Sequence, residues 1–136
     1  MGRRRKFAYL SLLGITTLLI GVLSCNSKGP IFEQLEADAF DEVIQRNSSI
    51  LILDVRTPSE YQEGHIENAQ LINFYDPDFK RNLNELNKEK PIAVYCAVGA
   101  RSLKAMELMQ TLGFKEVYHL EAGLNSWVNS EKDIVQ

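Results

Sequence analysis

The stretch Pro91-Ile92-Ala93-Val94-Tyr95-Cys96-Ala97-Val98-Gly99-Ala100-Arg101-Ser102-Leu103 decides how this chain folds. Ile92 to Tyr95 is an unbroken apolar run of strand length, the pattern of a strand buried on both faces of a parallel sheet. A tight loop follows, then a helical pattern over Arg101–Leu112 that Gly113 stops. Ligand sites in such sheets lie beyond the carboxyl ends of the strands, and Cys96 stands there. The helix begins where the loop ends, so its free N–H groups and positive dipole end face the sulfur and favour thiolate over thiol. A lone cysteine can also be a small apolar core residue. Glycine three places on and arginine five places on describe an anion-holding loop instead, and Cys96 reads as a nucleophile.

Working outward, strand and helix patterns alternate. Phe32 to Leu35 reads as a first strand, and Asp38 to Arg46 as an amphipathic helix with Phe40, Val43 and Ile44 inward. Ile50 to Val55 is a second such run, apolar but for Asp54. Ser59 or Thr57 can cap a short helix through Glu63, which Gly64 ends. Ala69 to Phe74 gives a further strand, and Asp76-Pro77-Asp78 starts a helix reaching Asn87. Val117 to Leu120 is the last strand and Leu124 to Val128 a last short helix. The alternation predicts an α/β fold: a parallel five-stranded sheet with helices on both faces. Tyr118 and Trp127 are expected in its core.

Upstream of the cysteine lies Asp54-Val55-Arg56-Thr57-Pro58-Ser59-Glu60-Tyr61-Gln62-Glu63-Gly64-His65-Ile66. Downstream come Gly113-Phe114, Val117-Tyr118, Leu120 and Gly123-Leu124 with Trp127. Taken in order, these motifs resemble the rhodanese family of sulfurtransferases, from about Phe32 to Trp127. The resemblance implies a single rhodanese-like domain over residues 32–130 with Cys96 as the sulfur-carrying catalytic residue. Four residues separate Cys96 from Arg101. Related phosphatases and arsenate reductases have a loop one residue longer, so the shorter loop favours a single sulfur atom over a tetrahedral oxyanion. Many thiosulfate-using relatives carry Arg where this chain has Ala97, which removes one positive charge from the loop.

The N-terminus reads separately. Arg3-Arg4-Arg5-Lys6 precedes an uncharged stretch from Phe7 to Ser24, and Val22-Leu23-Ser24-Cys25 resembles a bacterial lipobox. Residues 1–24 are expected to be a lipoprotein signal peptide, Cys25 the lipidated residue and 25–31 a tether. The alternative is an uncleaved anchor, since the stretch approaches the roughly 20 residues that span a bilayer. Either reading predicts a membrane-anchored protein of the bacterial cell envelope, facing outside the cytoplasm. Without the four basic residues at 3–6, the 15 Lys plus Arg become 11 against 18 Asp plus Glu, a net charge of −7. Such a surface repels nucleic acid and anionic headgroups, so membrane attachment rests on the lipid and nucleic acid is not an expected partner.

With Cys25 lipidated, Cys96 has no disulfide partner in the chain. No Cys-x-x-Cys is present, and His65 and His119 lack a ligand pattern, so neither a metal nor another cofactor is expected. The backbone N–H groups of Ala97, Val98, Gly99, Ala100 and Arg101 are the candidate cradle for substrate or persulfide. Arg101 either braces the loop against an acidic group, Glu60 or Asp54, or contacts substrate. Asp54 and Arg56 read as framework. His65 reads as a packing and hydrogen-bonding residue, because a thiolate attacking a sulfane sulfur needs no base. The expected function is transfer of a sulfane sulfur from a small donor such as thiosulfate to a thiol or cyanide, by a monomer. The alternative is an envelope sulfur carrier or docking module with little turnover.

Overall fold

The computed structural model describes residues 29–136. Five strands form one sheet: β1 (Ile31–Leu35), β2 (Leu51–Asp54), β3 (Gln70–Leu71), β4 (Ile92–Tyr95) and β5 (Glu116–Leu120). Five helices connect them: α1 (Ala37–Arg46), α2 (Pro58–Glu63), α3 (Phe79–Asn84), α4 (Ala100–Leu112) and α5 (Gly123–Asn129). The order across the sheet is β1-β5-β4-β2-β3, and every pairing is parallel. The strand that feeds the cysteine loop is therefore the central one, and all four of its residues are buried.

Alternation along β4 sorts the two layers. Ile92, Val94 and Cys96 face a core closed by Phe79 and Leu83 of α3 and by Ala105, Met106 and Met109 of α4. Ala93 and Tyr95 face the other core, closed by Phe40 of α1 and by Leu124 and Trp127 of α5. Phe40 and Trp127 meet edge to face there, with ring centroids 6.3 Å apart. Each apolar strand run is thus explained by helices on both sides, as the alternation of elements predicts. Trp127 is buried in the second core and Tyr118 is half-buried against it; Val43 and Ile44 are half-buried too.

Two elements are shorter than the sequence predicts. The strand expected over Ala69–Phe74 contracts to Gln70–Leu71, although the Ile72 and Phe74 amides still donate to the Asp54 and Val55 carbonyls. The Asn73 side chain accepts from the Tyr75 amide at 3.1 Å, and this turn ends the strand. The helix expected over Asp76–Asn87 spans Phe79–Asn84. The Asp76 carboxylate accepts from the Asp78 amide at 2.8 Å, so the first residues form a turn ahead of the helix. Residues 1–24 and Cys25, the expected signal and lipidation site, lie outside the described residues. Among the described residues no helix is long and apolar enough to cross a membrane.

Candidate functional site

Gly99 makes the loop after β4 possible. It takes a left-handed φ of 96°, and a Cβ there would run into the Glu121 carbonyl oxygen. This turn brings the Gly99 amide back onto Cys96, donating to Sγ at 3.1 Å. No side chain caps α4, so its first N–H groups stay available to the loop. The opposite polarity of the loop is disposed of elsewhere. The Cys96 carbonyl accepts from Leu124 at 2.7 Å and the Ala97 carbonyl from Asn125 at 3.1 Å, both in α5. Gly123 permits this approach: a Cβ on it would lie 2.5 Å from those same carbonyls. The carbonyls of Cys96 and Ala97 face α5, and the Val98 and Gly99 amides face the sulfur.

Cys96 is fully buried and is the free cysteine of the described residues. Burial pushes its thiol pKa up. Hydrogen bonds from the Ser102 hydroxyl and from the Ser102, Val98 and Gly99 amides outweigh burial and bring the pKa below its ordinary value. Ser102 is itself fully buried, with Oγ 3.4 Å from Cys96 Sγ and 3.1 Å from the Gly99 carbonyl oxygen. A hydroxyl carries one proton, so it can turn between these two acceptors with the charge on sulfur.

The arginine that closes the loop is held by α2. Arg101 forms a fork on the Glu60 carboxylate, Nη1 to Oε2 at 2.8 Å and Nη2 to Oε1 at 2.6 Å. Glu60 is placed by its helix start. Thr57 is the N-cap, its hydroxyl oxygen accepts from the Glu60 amide at 3.3 Å, and Glu60 Oε2 accepts from the Thr57 amide at 2.9 Å. Arg101 and the Thr57 contacts overcome burial and bring the Glu60 pKa down to about 2. The ring of Tyr75 covers the guanidinium from 5.5 Å.

A second pair lies beneath. Asp54, at the end of β2 and beside Tyr95 in register, binds Arg56 through Nε at 2.9 Å and Nη2 at 2.7 Å. Arg56 Nη2 also donates to the Gly64 carbonyl at 2.7 Å, and both side chains are buried. The Tyr95 hydroxyl accepts from the Ile66 amide at 3.1 Å. Burial raises the Tyr95 pKa, and the Asp54 carboxylate adds to this. His65 stacks on Tyr61 with centroids 3.7 Å apart, Nδ1 lies 3.0 Å from the Tyr61 carbonyl oxygen, and its backbone bridges to Val135.

The structure thus brings the Val98, Gly99 and Ser102 donors onto the Cys96 sulfur and ties Arg101, at the loop's far end, to Glu60; Ala97 and Ala100 belong to the same loop, with no contact of their amides to the sulfur. Asp54, Arg56 and His65 hold the segments behind it. Of the two acidic partners expected for Arg101, the structure selects Glu60; Asp54 is taken by Arg56. Ser102 is the site residue that sequence reasoning misses. Its signal is faint but present: a polar residue on the α4 stripe Ser102, Ala105, Met106, Met109 that faces the core. Among the described residues no group of three or more His, Cys, Asp or Glu side chains could hold a metal. What the loop can hold is one negatively charged sulfur, facing the Val98, Gly99 and Ser102 amides at a helix N-terminus.

Comparison with known proteins agrees with this geometry. A family model described as the rhodanese-like domain matches residues 36–130. A tRNA uridine(34) hydroxylase from Pelagibacter ubique is 34% identical over 113 residues, covering 81% of this chain and 36% of that protein. A probable molybdopterin-synthase adenylyltransferase from Porphyra purpurea is 34% identical over 116 residues, covering 85% and 29%. The chain therefore spans about a third of the length of these curated relatives. The crystal structure of a rhodanese-related protein from Thermoplasma volcanium superposes with a TM-score of 0.66 at 31% identity, covering 76% of this chain and 97% of that one.

Proposed function

This chain belongs to the rhodanese-like domain family, and from that premise we propose that it is a sulfurtransferase working through a Cys96 persulfide. The Cys96 thiolate attacks the outer sulfur of a donor such as thiosulfate. The donor's S–S bond breaks, and its electron pair leaves with the anionic remainder, sulfite in the case of thiosulfate. A thiol or cyanide then attacks the outer persulfide sulfur, and the Cys96 thiolate leaves, so turnover is ping-pong. The observation that carries this reading is the loop's polarity. The Gly99 amide and the Ser102 hydroxyl point at Sγ, while the carbonyls of Cys96 and Ala97 are spent on α5. Arg101, locked to Glu60, fixes the loop's far end.

The test is the intact mass of the protein after incubation with thiosulfate or a polysulfide. A one-sulfur adduct on wild type that is absent from Cys96→Ser is expected. No adduct, or one that survives the substitution, removes the proposal. Ala97 favours a second reading, a sulfur carrier or docking module with little turnover, because the loop lacks a second cation, at position 97, to join Arg101. Persulfide formation without steady-state turnover across several donor and acceptor pairs supports that reading.

We place the domain outside the cytoplasm of a bacterial cell as a lipoprotein, on the strength of the basic start, the apolar stretch and the lipobox-like Val22-Leu23-Ser24-Cys25. Detergent-phase partitioning of wild type that is lost, with retention of a longer precursor, in Cys25→Ser is the expected result. A mature protein starting at an unlipidated residue beyond Cys25 overturns it.

A further inference from the structure

All strand pairings are parallel, so the five strands begin at one pole of the domain and end at the other. Cys96 directly follows β4 and stands at the carboxyl pole. The chain enters β1 at the amino pole, where the Ile31 amide donates to the Lys115 carbonyl at 2.7 Å. Between the poles runs α4, whose 13 residues span about 20 Å.

Charge divides between the same poles. Lys88 and Lys90 precede β4, Lys115 precedes β5, and the Lys115 amide donates to the Lys88 carbonyl at 3.0 Å. Lys90 and Lys115 are exposed and Lys88 is half-buried. Among the described residues none of the three pairs with a carboxylate; Lys88 donates to the Asn84 amide oxygen instead. Glu89 is the acid of this turn. At the carboxyl pole, after β1, β3 and β5, stand the exposed acids Glu36, Asp76 and Glu121. Net negative charge alone predicts repulsion from anionic headgroups, but the fold sets a basic patch beside the point where the chain arrives from Phe7–Ser24. Only six residue steps separate Cys25 from Ile31, a reach of about 20 Å at most.

Resting on the membrane-anchored reading, we infer that the amino pole docks on an anionic phospholipid surface through Lys88, Lys90 and Lys115. Each basic residue held near such a surface adds attraction, and salt screens it. The short connection keeps the patch within reach of the headgroups. The domain then stands on the bilayer with its acidic pole and the Cys96 loop turned away. Sulfur donor and acceptor reach Cys96 from the aqueous side, not from within the membrane.

The experiment reconstitutes the full chain in two kinds of vesicle, phosphatidylcholine alone and an equal mixture of phosphatidylcholine and phosphatidylglycerol. Flotation checks attachment, a membrane-impermeant sulfosuccinimidyl ester acetylates the outward-facing lysines, and peptide mass spectrometry reads each one. Lys80 and Lys104, exposed near the starts of α3 and α4, are the internal reference. On the mixed vesicles, acetylation of Lys88, Lys90 and Lys115 relative to the reference should fall about fivefold. High salt should restore it, and Cys96 should react with iodoacetamide at the same rate on both vesicles. Equal relative acetylation, protection of Lys80 and Lys104 instead, protection that survives high salt, or slower Cys96 alkylation on the mixed vesicles overturns the inference and leaves the anchor standing. If the chain floats with neither vesicle, the anchored reading itself falls and this inference falls with it.

Discussion

The Ser102 hydroxyl stands 3.4 Å from the Cys96 sulfur, in the first turn of α4, with the Gly99 carbonyl oxygen as its other acceptor at 3.1 Å. The serine can therefore follow the charge on sulfur without moving its backbone. It stabilises the thiolate when the sulfur is charged and satisfies a buried carbonyl when it is not.

Ser102→Ala should remove a donor to the thiolate and shift the thiol pKa upward. At neutral pH, alkylation by iodoacetamide should slow by about tenfold, the size of one hydrogen bond to a charged group. The alkylation rate against pH checks this, and the whole profile should move to higher pH. A lower rate with an unmoved profile would instead mean steric disturbance.

Ala97→Arg should add the missing cation beside the loop. Thiosulfate loading should rise roughly tenfold, from about 1.4 kcal/mol of added anion stabilisation. The rate constant for sulfur loading measures it directly. An unchanged rate shows that charge at this position does not limit the reaction.

Glu60 ties the Arg101 end of the loop to α2, and its pKa falls from 4.5 to about 2 on folding. A depressed carboxylate contributes stability that is present above its unfolded pKa and is lost as pH falls through the folded one. Wild type should lose this contribution between about pH 4.5 and 2. Glu60→Gln should lack it, and should be less stable at neutral pH by about 1–2 kcal/mol, allowing for partial exposure of the pair. Urea denaturation of both proteins across that pH range tests the difference.

His119 is buried in β5, and its Nδ1 has no hydrogen-bond partner among the described residues. Burial lowers its pKa from 6.5 to about 4, so the ring stays neutral in the fold. The unfolded chain takes up the proton first, so stability should fall as pH drops from 6.5 toward 4. His119→Leu should abolish that part of the slope and raise stability at neutral pH by about 1 kcal/mol, since no buried nitrogen is left unpaired. Equal slopes for the two proteins would show that His119 gains a partner in solution.

The loop after β4 was legible because each of its requirements leaves a residue behind. An apolar run gives the central strand, Gly99 gives the left-handed turn, and Arg101 at a fixed interval gives the closure. Thr57 with Glu60 marks a helix start equally openly, since a capping box is a local device. The edge of the sheet was harder. Ala69–Phe74 has the composition of a strand, but Asn73 turns the chain, and only the three-dimensional partner reveals where pairing stops. Ser102 was harder still. A serine near a helix start reads as solvent-facing, and its meaning depends on a sulfur six residues back in the sequence. Which carboxylate Arg101 takes was undecidable from spacing, because Asp54 and Glu60 are both acidic and both upstream. The fold decides it by giving Asp54 to Arg56.

Two packing worlds divide this domain, and the sulfur and its controls belong to different ones. Cys96 is sheltered on the α3 and α4 side, while the amides that turn its loop's peptide planes come from α5, seated by Trp127 and Phe40 on the α1 side. Lys132 tightens that seat from beyond α5, pairing with Asp38 and Asp41 of α1. The orientation of two peptide bonds is thus set directly by α5 and by the core that seats it. A substitution at Trp127 could leave every atom on the sulfur's own side in place and still dull its reactivity, by letting two carbonyls swing back toward it. Variation in α1 and α5, remote from any substrate, is where tuning of this chemistry can hide.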